Sequence, residues 1–405
     1  MGINPHILFS VLLPPIILES GFNSQHRRFF ANFWDIFMLG VVGTVATACL
    51  IGALVYWLGQ TALLSTSLSP AGAMLYGSLI SAINPIATQL ILRKSHVPLL
   101  IPELLFGEHS INNGISIVLY NLCEKHVQSG DTETSVWSGL VLFAELIGIG
   151  AGSLVLAVIF GHGSVYLLRR SRIMLQQHQV YESYTLLLVA YTSYMAGEFF
   201  NLSGHLAVFF SGAFIRHYHL NSISRASATT FKHLLSTFSF LAENFIFLYL
   251  GVSLFAYSDT FEWDWSFTLV TFAVCFAARA LVVFPICSVA NIWRAIPFKY
   301  MVVIWFSGLR GATAFTLSLN IKDIDRTNHA AIIRSSTIFT VLTTTILFTM
   351  ATWPLVYLLR LTKARHEHRV EGHTGGTGES NEAAAWIRGV WDDFDECFGG
   401  STDVA

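Results

Sequence analysis

Two apolar segments of this chain are interrupted at their centres by residues that could hold or move an ion. The first runs from about Met74 to Leu92 and is broken by Ala82-Ile83-Asn84-Pro85. The second runs from about Tyr300 to Leu319 and is broken by Gly308-Leu309-Arg310-Gly311. Pro85 removes a backbone donor and strains the turn before it. The glycines flanking Arg310 weaken a helix without any proline. In a bilayer, unpaired backbone is tolerated only where it is buried in protein or lines a polar cavity. A proline kink and a loose glycine turn would account for either break alone. Both together, with a costly arginine in mid-span, mark a site where a polar substrate is handled.

Further polar residues fall inside apolar runs: Glu108, Asn112, Asn113, Glu243 and Arg279. Glu108 precedes Asn112 by one helical turn, so the two share nearly the same face. Glu243 has no charge near it in the sequence, which leaves it either a protonated, hydrogen-bonded acid or a proton carrier. Glu19 and Glu198 lie near the ends of runs and read as interfacial. His109 and His205 fit packed polar residues as well as proton relays.

The elements that must position these groups follow from composition. Of 405 residues, 53% are hydrophobic and only 12% charged, and the mean hydropathy is +0.57. A soluble domain carries charge on about a quarter of its residues, so the chain reads as an all-α polytopic membrane protein. A net charge of −2 gives nucleic acid no electrostatic footing. Cys49, Cys123, Cys275, Cys287 and Cys397 are scattered without a CxxC pair, so neither a metal centre nor structural disulfides are expected. No cleavable leader or myristoylation signal is read at Met1-Gly2. No nucleophile or zinc motif suggests an enzyme, nothing resembles a channel filter, and no cofactor is expected.

Apolar runs of about twenty residues number eleven: 5–20, 34–58, 73–92, 102–122, 136–168, 183–199, 203–216, 231–256, 265–289, 299–319 and 337–361. Outside the spans, Lys125, Lys322, Arg326 and Arg334 fall on one side of the membrane. All other lysines and arginines fall on the opposite side, including Arg27-Arg28, Arg93-Lys94 and Arg169, Arg170 and Arg172. By the positive-inside rule that side is cytoplasmic, with the carboxyl terminus on it.

The broken spans are the third and the tenth. An odd offset of seven inverts one unit relative to the other, as in inverted-repeat transporters. The same offset pairs the second, third and fourth spans with the ninth, tenth and eleventh, and the first with the eighth. The sixth and seventh then expect two partners preceding residue 1. After Leu361, residues 363–385 read as a polar linker. Trp386 to Phe398 form a short acidic-aromatic element suited to docking on the bundle or on a partner.

Several strings resemble one family. Leu12-Leu13-Pro14-Pro15-Ile16-Ile17 resembles LLPPII, and Gly77 to Thr88 is similar to GSLISAxDPVAT. Phe106 to Ser116 is similar to FGESxLNDAVS, and Leu202-Ser203-Gly204, Leu250-Gly251-Val252-Ser253, Arg279-Ala280-Leu281 and Trp305 to Ala312 match further segments. Trp391-Asp392-Asp393-Phe394-Asp395 resembles a short motif that follows the membrane domain. The chain thus resembles the sodium/proton exchangers of the cation/proton antiporter superfamily, nearest the eukaryotic endomembrane branch, over residues 5–361. The resemblance implies an inverted-repeat antiporter fold with two crossed discontinuous helices, thirteen spans and a homodimer. It implies exchange of Na+ or K+ for H+ by alternating access, serving pH and cation homeostasis. It places the chain in an endomembrane (Golgi–endosomal) or plasma membrane bilayer.

Carried onto this sequence, the ion site comprises Asn84, Pro85, Glu108, Asn112, Asn113 and Arg310, with Glu108 and Arg279 as a core ion pair. Glu108 is also open as a substitute proton carrier, and Glu243 is the next acid candidate. Arg310 would balance the carbonyl ends of the crossed half-helices. Two departures bear on function. Asn113 stands where the family has the ion-binding aspartate, and Asn84 stands where it has Asp before Pro. An amide offers an oxygen to a cation but does not titrate. The alternative expectation is therefore a homologue that no longer transports and serves regulation or assembly.

The expected organisation is 1–33 (first scaffold span), 34–122 (first half of the core bundle) and 123–182 (linker span). Residues 183–264 would form the second scaffold half, 265–361 the second half of the core bundle, and 362–405 a cytoplasmic tail.

Overall fold

Each apolar run becomes a helix, and local chemistry sets where the helices start and stop. The computed structural model describes residues 8–24, 32–61, 63–95, 97, 100–128, 136–170, 179–219, 225–256, 262–291, 297–321, 329–359 and 361. The linker, the acidic-aromatic element, Cys397, Arg27-Arg28, Arg172, Lys322 and Arg326 lie outside the described residues.

After a π-helical turn at Leu8–Leu12 comes α1 (Leu13–Asn23). It is followed by α2 (Phe33–Gly59), which contains a π-helical turn at Met38–Val42. The first broken span is α3a (Pro70–Ile80) and α3b (Ile86–Lys94). Next are α4 (Leu100–Gln128), α5 (Val136–Arg170), α6 (Gln179–Phe199), α7 (Gly204–His219) and α8 (Arg225–Ala256). Then come α9 (Trp265–Ala290) and the second broken span, α10a (Phe298–Phe306) and α10b (Ala312–Asn320). The series of described helices closes with α11 (His329–Leu358), which has a π-helical turn at Thr344–Phe348.

Caps explain several boundaries. Ser69 caps α3a by accepting from Gly72 N–H, with Pro70 in the first turn where its missing donor costs nothing. Asp264 caps α9 through Phe267 N–H and also accepts from Ser65 and Thr66 in the α2–α3a connection. Helices α6 and α7 are both complete despite their short connection, because Asn201 takes a left-handed φ of 54° that an asparagine tolerates. The last helix starts at His329, earlier than its apolar run at 337. The intervening Ser335 and Ser336 are fully buried polar residues that hydropathy discounts. Ser335, like Thr337 and Thr340 further on, returns its hydroxyl to the carbonyl four residues back.

Among the described residues, five segments are long and apolar enough by themselves to cross a membrane. Their outer faces carry exposed Ile147, Val155 and Ile159 on α5 and Phe240 and Leu248 on α8. Such a surface suits lipid tails and not water. Small residues set the closest approaches: a Cβ on Gly212 would lie 2.6 Å from the Leu18 carbonyl oxygen, so α1 and α7 pack backbone to backbone. Helices α5, α6 and α7 pack on one another, and α8 joins them to α1. The other group holds α2, α3a, α3b, α4, α9, α10a, α10b and α11, with both breaks inside it.

Candidate ion-binding site at the crossed helices

The breaks at Ser81–Pro85 and Ser307–Gly311 meet, because the N–H of Asn84 donates to the Leu309 carbonyl across 2.8 Å. A Cβ on Gly311 would collide with the Asn84 side chain, so only glycine lets the two strands of broken backbone cross this closely. Pro85 is the N-cap residue of α3b, where no intrahelical donor is needed.

Four short helices therefore end at one place, and the two ends that expose carbonyls each receive an arginine. Arg310, 2% exposed, donates from Nη1 to the Ser81 carbonyl at the end of α3a, 3.1 Å away. Arg279 donates from Nη2 to the Ile304 carbonyl in the last turn of α10a, 3.2 Å away. Cationic guanidinium groups offset the negative ends of these half-helices. Arg279 also donates from Nη1 to Glu108 Oε1 at 2.5 Å, with both side chains at least 95% buried. A Cβ on Gly308 would lie 2.8 Å from Arg279 Nε, so the glycine makes room for this guanidinium.

Asn112 stitches the first break. Its Oδ1 accepts from Ile83 N–H at 2.8 Å, and its Nδ2 donates to Thr44 Oγ1 at 2.6 Å and to the Ser81 carbonyl at 3.2 Å. Thr344 and Thr345 stitch the second. Arg310 N–H donates to Thr344 Oγ1 at 3.1 Å, and Thr345 Oγ1 donates to the Arg310 carbonyl at 3.2 Å. These hydroxyls sit on the π-helical turn of α11, which aims them at the break. Backbone groups freed by the interruptions are thus largely paired by side chains.

Asn113 is different. It is 5% exposed, and its Oδ1 has no hydrogen-bond partner. Its amide lies 3.3 Å from His109 Nδ1, which itself approaches the Ile83 carbonyl at 2.7 Å. A carbonyl accepts only from N–H, so Nδ1 carries the ring proton. The Asn113 amide then serves His109 better with its oxygen turned toward Nδ1. In either orientation position 113 supplies an uncharged oxygen beside the break.

His109 also lines a cavity of about 560 Å³ with Glu19, Gln89, Arg216, Lys232 and Glu243. Glu243, without a charged neighbour in sequence, thus shares this cavity with Glu19. The latter is not simply interfacial: its Oε1 accepts from Asn23 at 3.1 Å and from Ser236 at 2.8 Å. The site residues therefore fall into two places. Asn84, Pro85, Asn112, Asn113, Arg310 and the Glu108–Arg279 pair lie at or beside the crossing, whereas Glu243 lines the cavity. Thr44, Thr344 and Thr345 were not singled out in the sequence, since a hydroxyl in an apolar run carries no signal until its partner is known.

Crossed broken helices in an all-helical inverted repeat define the class of secondary cation/proton antiporter folds. The family described as "Sodium/hydrogen exchanger, transmembrane" matches residues 2–357. The chain belongs to that family, which is one of transporters and not of enzymes. It is 33% identical over 371 residues to human "Sodium/hydrogen exchanger 8", covering 90% of this chain and 62% of that one. With "Sodium/hydrogen exchanger 1" of Dictyostelium discoideum it shares 31% identity over 375 residues, covering 92% of this chain and 53% of that one. The chain thus spans less than two thirds of the length of these curated relatives. Among solved structures, the sodium proton antiporter MjNhaP1 of Methanocaldococcus jannaschii at pH 8 has the same fold. The TM-score is 0.65 at 17% identity, covering 86% of this chain and 84% of that one.

Proposed function

We propose that this protein exchanges a monovalent cation, Na+ or K+, for protons by alternating access, contributing to pH and cation homeostasis. One observation carries the reading. Two broken helices cross beside the buried Asn113 amide, one of whose polar atoms has no partner, and His109, in contact with that amide, lines a cavity able to admit an ion. An amide oxygen has two acceptor sites and keeps at least one free in either orientation, which a dehydrated cation can occupy. The proposal includes a bilayer of endomembrane (Golgi–endosomal) or plasma membrane origin, a cytoplasmic carboxyl terminus and, from the family resemblance, a homodimer. The domain division follows the same reading, with the bundle of α2–α4 and α9–α11 moving against a scaffold of α1 and α6–α8.

A second reading, a transport-deficient homologue with a regulatory or assembly role, has its own observation. Position 113 is an amide, and Glu108 is engaged by Arg279. Purified full-length protein in liposomes with an imposed pH gradient separates the two. Antiport predicts that added Na+ or K+ collapses the gradient while choline does not. A gradient indifferent to both ions would favour the second reading.

A further inference from the structure

We propose that the acidic-aromatic element at 386–398 seats in the mouth of the cavity of its own chain and closes it. The charges of that cavity are ordered along its depth. Its bases sit at the outer end: Arg216 in the last turn of α7, and Lys232, exposed, near the start of α8. The end of α1 lies between them, because Phe22 carries the Arg216 guanidinium over its ring at 5.2 Å and meets the Phe231 ring at 5.3 Å. The acids sit deeper. Glu243 lies about 16 Å beyond Lys232 along α8. Glu19 lies one turn inside Asn23, with its Oε1 engaged by Asn23 and Ser236. The mouth is therefore basic, and the negative charge is held within.

The chain leaves the bundle beside this mouth. The last turns of α11 pack on α3b, where Thr88 Oγ1 lies 3.5 Å from Thr352 Oγ1. The next residues of α3b, Gln89 and Leu90, line the cavity. One helix thus separates the end of α11 from the mouth. Fully extended, residues 362–385 reach about 80 Å, several times the ~10–12 Å width of a helix, so length does not forbid contact.

Chemistry selects the occupant. The element carries Asp392, Asp393, Asp395 and Glu396 against a single base, Arg388, and sets Trp391 and Phe394 among those acids. The acids match Arg216 and Lys232. The rings match Leu90, 58% exposed, and half-buried Phe106 on the opposite wall of the same cavity. Glu19 and Glu243 repel an acidic segment from the interior, which keeps it at the mouth. The seat also bridges the two groups of helices, since Arg216 and Lys232 belong to α7 and α8 while Leu90 and Phe106 belong to α3b and α4. An element bound to both walls holds them together. In the antiport reading, on which this consequence rests, exchange slows while the element is seated.

The unmodified full-length protein in lipid nanodiscs is treated with a water-soluble carbodiimide, which joins a carboxylate to an amine where the two meet. Mass spectrometry of the digest is expected to find Lys232 joined to Asp392, Asp393, Asp395 or Glu396. The yield should fall several-fold at high salt, which screens exposed charges. It should also fall several-fold in Arg216→Gln and in Trp391→Ala; the latter lies outside the bundle and keeps all four carboxylates. Absence of the Lys232 link, where other carboxylate–lysine pairs of the protein react, overturns the proposal. So does a yield that neither variant changes. Nanodiscs filled from mixed light- and heavy-isotope protein separate the chain's own element from that of a second copy, and light-to-heavy links at random frequency overturn the assignment. In liposomes that show exchange, Trp391→Ala should raise its rate several-fold, and an unchanged rate overturns the closure. Liposomes silent in every variant remove the antiport reading instead, while the Lys232 link still decides the docking.

Discussion

The backbone N–H of Asn84 donates to the carbonyl of Leu309, so each broken helix satisfies part of the other's interruption. The bond runs between inverted repeats, at the centre of a bundle whose interior otherwise offers backbone groups few partners. It makes the crossing a single unit: a shift of one break pulls on the other. Arg310 reinforces the tie from the opposite side by reaching back to Ser81.

Gly311 is the residue this crossing tolerates least. Its α-carbon faces the Asn84 side chain so closely that an added methyl must displace it. Gly311→Ala should lower stability by about 1–3 kcal/mol, in the range of overpacked cores, and lower transport with it. Gly251→Ala is the control, since nothing lies within 4 Å of that added carbon. Thermal unfolding in detergent would show it, with equal midpoints for the two variants contradicting the packing argument.

Glu108 should prove a structural partner. Removing its charge leaves Arg279 buried and uncompensated, at a cost of about 3–5 kcal/mol. Glu108→Gln is therefore expected to melt well below the unmodified protein, while Glu108→Leu with Arg279→Met recovers much of the loss. An unchanged midpoint for Glu108→Gln would mean that the pair is not the anchor its geometry describes. Arg279 would keep a task in either case, because it also caps α10a at Ile304.

Much of this arrangement was legible because the signals were expensive ones. Prolines, glycines and charges in apolar runs stand out, so both breaks and the spans could be read from residue type, while the partnership of Glu108 with Arg279 came from the family resemblance. Less costly groups were not. Apart from the family resemblance, residue type does not distinguish Asn112, whose amide is filled by Thr44, Ser81 and Ile83, from its neighbour Asn113, whose amide keeps one polar atom without a partner. That difference depends on the roughly 100° of rotation between successive helical residues. It also depends on the direction in which Ile83 presents its N–H. The π-helical turns in α2 and α11 were invisible for a similar reason, since they answer to contacts across the bundle. Glu19 read as interfacial because its partner Ser236 lies on α8, whose packing on α1 no periodicity reveals, although Asn23 is one turn along its own helix.

Asp264, just outside the span of α9, gives a stability effect with a definite pH window. Partial burial pushes its carboxyl up, but hydrogen bonds from Ser65, Thr66 and the Phe267 and Ser266 N–H groups outweigh it and hold the pKa below the usual value. A folded-state pKa below the unfolded value of about 3.9 means that the ionised cap stabilises above that pH. The contribution is lost as pH falls through the depressed folded value. Asp264→Asn should therefore be less stable than the unmodified protein at neutral pH, with the gap closing in acid. Paired melts from neutral pH down to strongly acidic buffer measure this. A gap that widened on acidification would reverse the assignment.

Restoring the carboxylate at position 113 is the most direct way to ask what the amide has cost. Asn113→Asp would place an acid about 3 Å from His109 Nδ1, within reach of a charge-assisted hydrogen bond. The rest of the crossing, from Asn112 to Arg310, needs no rearrangement to accept it, because Asp and Asn have nearly the same shape. The substitution should increase cation-driven collapse of a pH gradient, or introduce it where the unmodified protein shows none. The new carboxylate can bind the cation or the proton by itself. Asn84→Asp supplies a second negative charge at the break should one prove insufficient to hold a cation beside Arg310. Silence in every combination, in liposomes where a known exchanger is active, would locate the defect outside positions 84 and 113.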